Sequence, residues 1–281
     1  MNMVSMSISK KGERQRYLPL EIRLQMYEDV IKLRKQGLIY KEIQRRIYEN
    51  YGMILPLSTL STWINKKNHP LGKINKFDRK PSREFAYIIG TIFGDGYIYF
   101  DGRRYQIVLA VKDKEFAEEF GKCLTKVLGR KEPYKPFWSE NRKLWVIEVC
   151  SILLYKFLNR PLEELKPYIE YSKETVASFL KALFDGEGSI YKRVLMLYNT
   201  NIELLNYAKY LLKKFFDIDT TGPNLATKGG ELRHFPNRKT TKTTKEYYYL
   251  YIRVKSLLSF YKNVEFTIKR KQRRLIEAIQ K

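Results

Sequence analysis

Histidine and cysteine are nearly missing. The 281 residues hold two of each: His69 and His234, Cys123 and Cys150. Two histidines argue against nucleases that grip metal with histidine clusters and against any triad that needs an imidazole base. The cysteines show no metal-ligand spacing, lie in apolar patterns and are expected to be buried thiols. No apolar run reaches about 18 residues, so no membrane-spanning helix is expected. Met1 to Lys11 lacks the apolar core of a signal peptide. Acids are scarce beside bases: 30 Asp+Glu against 54 Lys+Arg leave a net charge of +24. Such an excess favours a polyanionic partner, with nucleic acid first. The charge is spread along the whole chain, which argues against a basic amphipathic membrane helix. An apolar content of 44% is enough for real cores, and the length has room for two or three small domains. With so little histidine, catalysis would have to run on carboxylates, lysines and bound metal.

What the chain does have is one stretch written twice. Ile88-Ile89-Gly90-Thr91-Ile92-Phe93-Gly94-Asp95-Gly96 is restated as Leu180-Lys181-Ala182-Leu183-Phe184-Asp185-Gly186-Glu187-Gly188. Each copy reads as an apolar helix with small residues four apart, Gly90/Gly94 and Ala182/Gly186. Such residues share one helix face and let two backbones approach closely. Each copy ends in one carboxylate followed by glycine. If the two faces pack together, Asp95 and Glu187 meet at the bottom of the helix pair. An acid at a helix C-terminus is unfavourable, and two together repel. A divalent cation would resolve this, since paired carboxylates suit Mg²⁺ beside substrate phosphates.

Around the repeats, residues 1–16 are polar and basic and are expected to be poorly ordered. Helical spacing runs from Pro19 to Gln36 and is stopped by Gly37; a second short helix covers Tyr40 to Tyr48. Ser58 is expected to cap a third, Thr59 to Lys67. Residues 1–80 carry 17 basic and 7 acidic side chains. Two helices joined by the turn Gly52 to Pro56 fit a helix-turn-helix over 1–72, with Leu60, Trp63 and Ile64 in its core. Thr59, Ser61, Thr62, Asn65 and Lys66 would then face the major groove; a three-helix dimerisation bundle is the alternative. Residues 73–83 read as a basic linker.

From Glu84 the order is helix, two strands, helix, two strands, helix, and it is restated from Lys173. The strands of the first half are expected at Tyr97–Phe100, Tyr105–Val111, Glu132–Trp138 and Leu144–Cys150. Those of the second are expected at Ser189–Lys192, Val194–Asn199, near Asp219–Thr227, and at Glu246–Val254. Lys228 to Lys245 reads as an exposed basic loop or hairpin tip. The run Lys269 to Arg274 reads as a solvated helix face.

Two helices ending Gly-Asp-Gly and Gly-Glu-Gly, each heading an αββαββα unit, resemble the LAGLIDADG homing endonucleases of the single-chain, two-motif type found in archaeal introns. The resemblance covers 84–170 as a first half and 171–281 as a second. It implies an α+β fold: a pseudo-twofold pair of αββαββα units forming a saddle, here preceded by a small all-α domain. It also implies Asp95 and Glu187 as catalytic acids that hold Mg²⁺ or Mn²⁺, with the backbone at Gly94 and Gly186 beside them. Phe93 replaces an acid often found two residues before the catalytic one, whereas Asp185 keeps it without being expected to bind metal. A basic or polar residue near each acid is implied as well: Lys112 in the first half, Lys192 with Asn199 in the second. Val111 occupies the place where the polar strand-end residue is expected.

The activity implied is a staggered double-strand break in a long, asymmetric DNA site, made by a monomer. Base or phosphate contacts are expected from Tyr99, Arg103, Arg104, Gln106, Lys135, Arg142, Lys192, Arg193, Tyr247, Tyr249 and Arg253. Arg233, Arg238, Lys239 and Lys242 would add contacts from the basic loop. A catalytically weak or inactive DNA-binding regulator and an intron RNA-splicing maturase are the alternatives on the same scaffold. No nucleophile at the start and no His-Asn at the end are present, so an intein is not expected. Abundant Lys, Glu, Ile and Tyr with little Gln fit a thermophilic archaeal source, and a cytoplasmic, nucleoid-associated protein is the expectation.

Overall fold

A computed structural model describes residues 18–70, 77–102, 104–230, 232–235, 238–242 and 245–280; between 231 and 244 only backbone is described. The expectations for residues 1–16, for 73–76 of the linker and for Arg103 lie outside the described residues. Two compact units divide the chain, one of Met1–Ile74 with Asp101–Arg103 and the other of Asn75–Phe100 with Arg104–Lys281.

The first unit holds α1 (Leu20–Lys35), α2 (Tyr40–Tyr51) and α3 (Leu57–Ile64). Helix α2 closes on Gly52, whose left-handed φ of 65° lets its N–H return to the Tyr48 carbonyl. Leu60 and Trp63 are buried against Met26, Val30, Ile43, Ile47 and Leu55, as their spacing predicts. Ser58 does not cap α3. The helix starts after Pro56, whose ring fixes φ at −58°, so Ser58 falls inside the first turn.

The second unit opens with α4 (Arg83–Phe93), β1 (Gly96–Phe100), β2 (Tyr105–Val111), α5 (Lys114–Val127), β3 (Phe137–Ser139), β4 (Leu144–Cys150), α6 (Ile152–Leu158) and α7 (Leu162–Ile169). It repeats with α8 (Lys173–Glu187), β5 (Gly188–Tyr191), β6 (Val194–Asn199), α9 (Ile202–Phe216), β7 (Thr220–Thr227), β8 (Leu232–Phe235), β9 (Arg238–Lys242), β10 (Tyr247–Ile252), α10 (Leu257–Asn263) and α11 (Lys269–Ile279). The fold is mixed α/β with two four-stranded antiparallel sheets, ordered β1-β2-β4-β3 and β5-β6-β10-β7. The hairpin β8–β9 stands between β7 and β10, where the basic loop was expected.

Both motif helices start on serine. The Ser82 hydroxyl accepts from Phe85 N–H at 3.1 Å, and the Ser172 hydroxyl accepts from Thr175 N–H at 3.2 Å. Beneath the sheets one continuous apolar core takes Phe85, Ile88 and Ile89 from α4, Phe179, Leu180 and Phe184 from α8, and the inward residues of both sheets.

Strand β3 is shorter than expected. Pro133 and Pro136 have no N–H to give to a ladder, so pairing starts only at Phe137. Cys123 is buried as expected, but Cys150 is exposed. It shares the outward phase of β4 with Glu148, because successive side chains alternate across a strand. Among the described residues no helix is long and apolar enough to cross a membrane.

Candidate active site

The small residues do what their spacing predicts: α4 lies directly along α8. A Cβ added to Gly90 would stand 2.3 Å from the Phe179 carbonyl oxygen and 3.1 Å from Ala182 Cβ. At the bottom of the pair the contacts cross. A Cβ on Gly94 would lie 3.7 Å from Glu187 Cγ, and one on Gly186 would lie 3.4 Å from Asp95 Cγ. Each motif's glycine therefore makes room for the other motif's acid.

That proximity is visible in the ionisation of Glu187. Removal from water pushes Glu187 up to about 7, the negative charge of Asp95 adds to the shift, and the Lys271 cation opposes it. Asp95 keeps an exposed edge. It too is raised, by desolvation first, against the pull of Lys271 and with the push of Asp113. Two carboxylates that repel each other in a partly dehydrated seat are an oxygen donor set suited to a hard divalent cation. Among the described residues no third His, Cys, Asp or Glu completes a metal cluster. Water and phosphate would have to fill the remaining positions, as Mg²⁺ allows.

Strand register fixes what stands beside each acid. Gly96 pairs with Leu109 and Gly188 pairs with Leu197. Two residues on, Val111 and Asn199 therefore occupy equivalent places. The Asn199 amide Nδ2 donates to Glu187 Oε1 at 3.2 Å. Val111 is buried and apolar. Lys112 follows it, exposed, and on a strand that one-residue step turns it to the other face. Lys192 is not beside Glu187. It sits in the β5–β6 turn with φ 52°, at the far end of the strand that leaves Glu187, its ammonium 5.5 Å from the centre of the Tyr191 ring.

Sequence reasoning missed the centre's buried cation. Lys271, expected on a solvated face, is 5% exposed. Its Nζ donates to the Phe184 carbonyl at 3.1 Å and to the Asp185 carbonyl. These are last-turn carbonyls of α8, where a cation offsets the helix dipole. Burial lowers its pKa to about 8, against the pull of Asp185. The signal was available: Lys271, Leu275 and Ala278, the buried residues of α11, recur at helical spacing on one face.

Asp185 is the reciprocal partner. Its carboxylate accepts from Thr267 N–H at 2.9 Å, Ile268 N–H at 3.2 Å and the Tyr87 hydroxyl at 3.1 Å. It thus sits where the positive end of α11 favours an acid, although burial still raises it to about 6. These three donors hold the Asp185 carboxylate against the start of α11 and Tyr87. Arg270 clamps Asp113 with two 2.7 Å hydrogen bonds from Nε and Nη2. Helix α11 of the second half is thereby tied to the start of α5 in the first.

The residues expected to meet DNA separate into two groups. Tyr99, Gln106, Tyr247 and Tyr249 lie on sheet strands. Arg104, Lys135, Arg142, Lys192, Arg193 and Arg253 all lie outside the strands, in turns and connections. Arg142 Nη1 donates to the Tyr97 hydroxyl at 3.4 Å. The side chains of Arg233, Arg238, Lys239 and Lys242, on hairpin β8–β9, lie outside the described residues. In the N-terminal unit Thr59, Ser61 and Thr62 are half-buried, Asn65 and Lys66 exposed.

Residues 174–265 match the family model of the LAGLIDADG-like domain. The chain is 33% identical over 267 residues to "Uncharacterized protein MJ0398" of Methanocaldococcus jannaschii, covering 92% of this chain and 94% of the relative. Among solved structures it is similar to the homing endonuclease I-DmoI, as seen in complex with DNA and Mn, at 19% identity and a TM-score of 0.46; the match covers 65% of this chain and 96% of that one. It is also similar to full-length DUF199/WhiA from Thermatoga maritima, at 19% identity and a TM-score of 0.44, over 71% of this chain and 61% of that one.

Proposed function

Since the chain belongs to one family with the archaeal protein MJ0398 and carries a LAGLIDADG-like domain, we propose that it is a site-specific endonuclease of double-stranded DNA, dependent on Mg²⁺ or Mn²⁺. The observation that carries this reading is the crossed packing at the base of α4 and α8, which brings two partly dehydrated carboxylates together where each leads into the first strand of its sheet.

Asp95 and Glu187 would hold the cation, with the backbone at Gly94 and Gly186 beside them. When bound, it supplies Lewis acidity at the scissile phosphate and an activated water. The chain's own residues orient the rest. Asn199 fixes one oxygen of Glu187, and Lys271 holds the end of the helix that carries it. Lys112 and Lys192 remain candidates for phosphate contact. One acid per half fits one cut per DNA strand and hence a staggered break. The three-helix unit would add a helix-turn-helix contact through Thr59, Ser61, Thr62, Asn65 and Lys66. Phosphate contacts would make affinity fall steeply with salt.

The test is to incubate the protein with a library of duplex sites and Mg²⁺ and to sequence the cut ends. One enriched long site is expected, and the Asp95→Ala/Glu187→Ala double variant should bind it without cutting. A double variant that cuts as well as the wild type would sink the reading. Val111 favours a second reading, a DNA-binding regulator on a retired nuclease core. Tight specific binding without cleavage in Mg²⁺ or Mn²⁺ would establish that instead.

A further inference from the structure

The eight strands of the two large sheets contain not one lysine or arginine, in a chain that carries 54. The single charged side chain among them is Glu148. An antiparallel sheet with one solvated face ordinarily sets polar and charged side chains there. Here the open faces carry mostly tyrosine rings with a few uncharged polar groups, and Glu148 is the one charge. In the first sheet Tyr97 and Tyr99, 42% and 51% exposed, share a face with Gln106, with the exposed Glu148 and with the buried Val108 between them across the register. In the second, Tyr249 and Tyr251 lie opposite Tyr198 and Met196, with Asn224 beyond Tyr249. The rings of Tyr198 and Tyr247 stack at 5.8 Å with 9° between planes. The cations border these faces: Arg142, Lys192, Arg193 and Arg253 occupy turns or strand ends.

Resting on the proposed DNA-binding function, we propose that the base pairs under the two sheets are read through tyrosine rings, aliphatic groups and side-chain amides, so that the target is rich in A·T pairs along those stretches. Guanine is recognised in the major groove chiefly by arginine or lysine reaching O6 and N7. The strands offer neither. Thymine is recognised by apolar contact with its C5 methyl and adenine by the amide of Gln or Asn. The strands offer rings for the first, and Gln106 and Asn224 for the second. The bordering cations match the charge of the phosphates, which position the duplex without reading it. That charge match selects DNA over a second protein as the occupant, because exposed apolar faces alone would suit either.

The experiment takes the full chain with a randomised duplex library in Ca²⁺, sequences the bound fraction, and then replaces thymine by uracil in the best site. A·T enrichment over two stretches is expected, with about tenfold weaker binding on loss of the methyl groups. Tyr99→Arg should shift preference towards guanine at one position. G·C-rich stretches, or indifference to the methyl groups, would overturn the inference. So would tyrosine variants that change oligomeric state and leave base preference untouched. Selective binding with no cleavage in Mg²⁺ or Mn²⁺ would remove the nuclease reading and leave this inference standing. Failure to bind any duplex would overturn both.

Discussion

The two halves of the large unit share a plan and differ at the places that bear on chemistry. Two residues before the acid, the second half has Asp185, which accepts N–H groups from the start of α11; the first has Phe93, packed against the core. Two residues beyond the strand partner of the motif glycine, the second half has Asn199 in contact with its acid, and the first has Val111. The acids themselves differ by one methylene. The shared features are the ones that bring the helices together, since close approach binds both halves equally. The differing features each serve one acid, and a single chain is free to vary them independently.

The largest expected effect tests whether the acids are equivalent despite this. Asp95→Asn and Glu187→Gln, made separately, should each bring cleavage below detection while DNA binding in Ca²⁺ persists. If one variant still nicks one strand at the wild-type rate, the halves carry separate centres. The shared helix face comes next. Gly90→Ala should destabilise by about 1–3 kcal/mol in urea, because a Cβ would strike the Phe179 carbonyl at 2.3 Å. Gly94→Ala, whose nearest neighbours would lie at 3.5 Å and beyond, should cost clearly less, and equal losses would contradict the geometry.

The flanking residues offer a direct exchange. Asn199→Val should slow nicking of one strand about tenfold, the worth of a hydrogen bond to a charged group. Val111→Asn should leave that strand alone and speed the other. Equal strand rates in the wild-type protein would count against the difference between halves. The smallest effect concerns pH. The folded pKa of Glu187 is raised above its ordinary value, so without metal the stability it contributes is present at low pH and is lost as pH rises through about 7. Above that pH the carboxylate is ready for a cation. Mg²⁺ should therefore raise Tm by a few degrees at pH 8 and by less at pH 6 (roughly the scale of a 1 kcal/mol gain), as differential scanning calorimetry would show.

Much of this was legible in the sequence because it is written locally. Strands β2, β4 and β6 fall where the sequence puts them, and the two glycine-flanked acids follow from the repeat alone. What was not legible depends on what a residue meets far along the chain. Lys271 belongs to a run of charges, and only its phase relative to Leu275 and Ala278 separates it from its solvated neighbours. The distance of Lys192 from Glu187 is set by the direction of β5 and by a turn that composition does not specify. The separation of cations from sheets needed strand boundaries correct to one residue. Proline chemistry decided one helix boundary, at Pro56, and one strand boundary, at Pro133 with Pro136.

Helix α11 follows every other described element in chain order, yet it carries the lysine that holds the end of α8 and the arginine that ties it to α5. During synthesis, both motif helices and both sheets leave the ribosome before it does. A nascent chain can therefore assemble both sheets while Asp95 and Glu187 still lack their internal counter-charge. The surroundings of the acid pair are completed only by the segment translated last among these elements, after both sheets and both motif helices have been made.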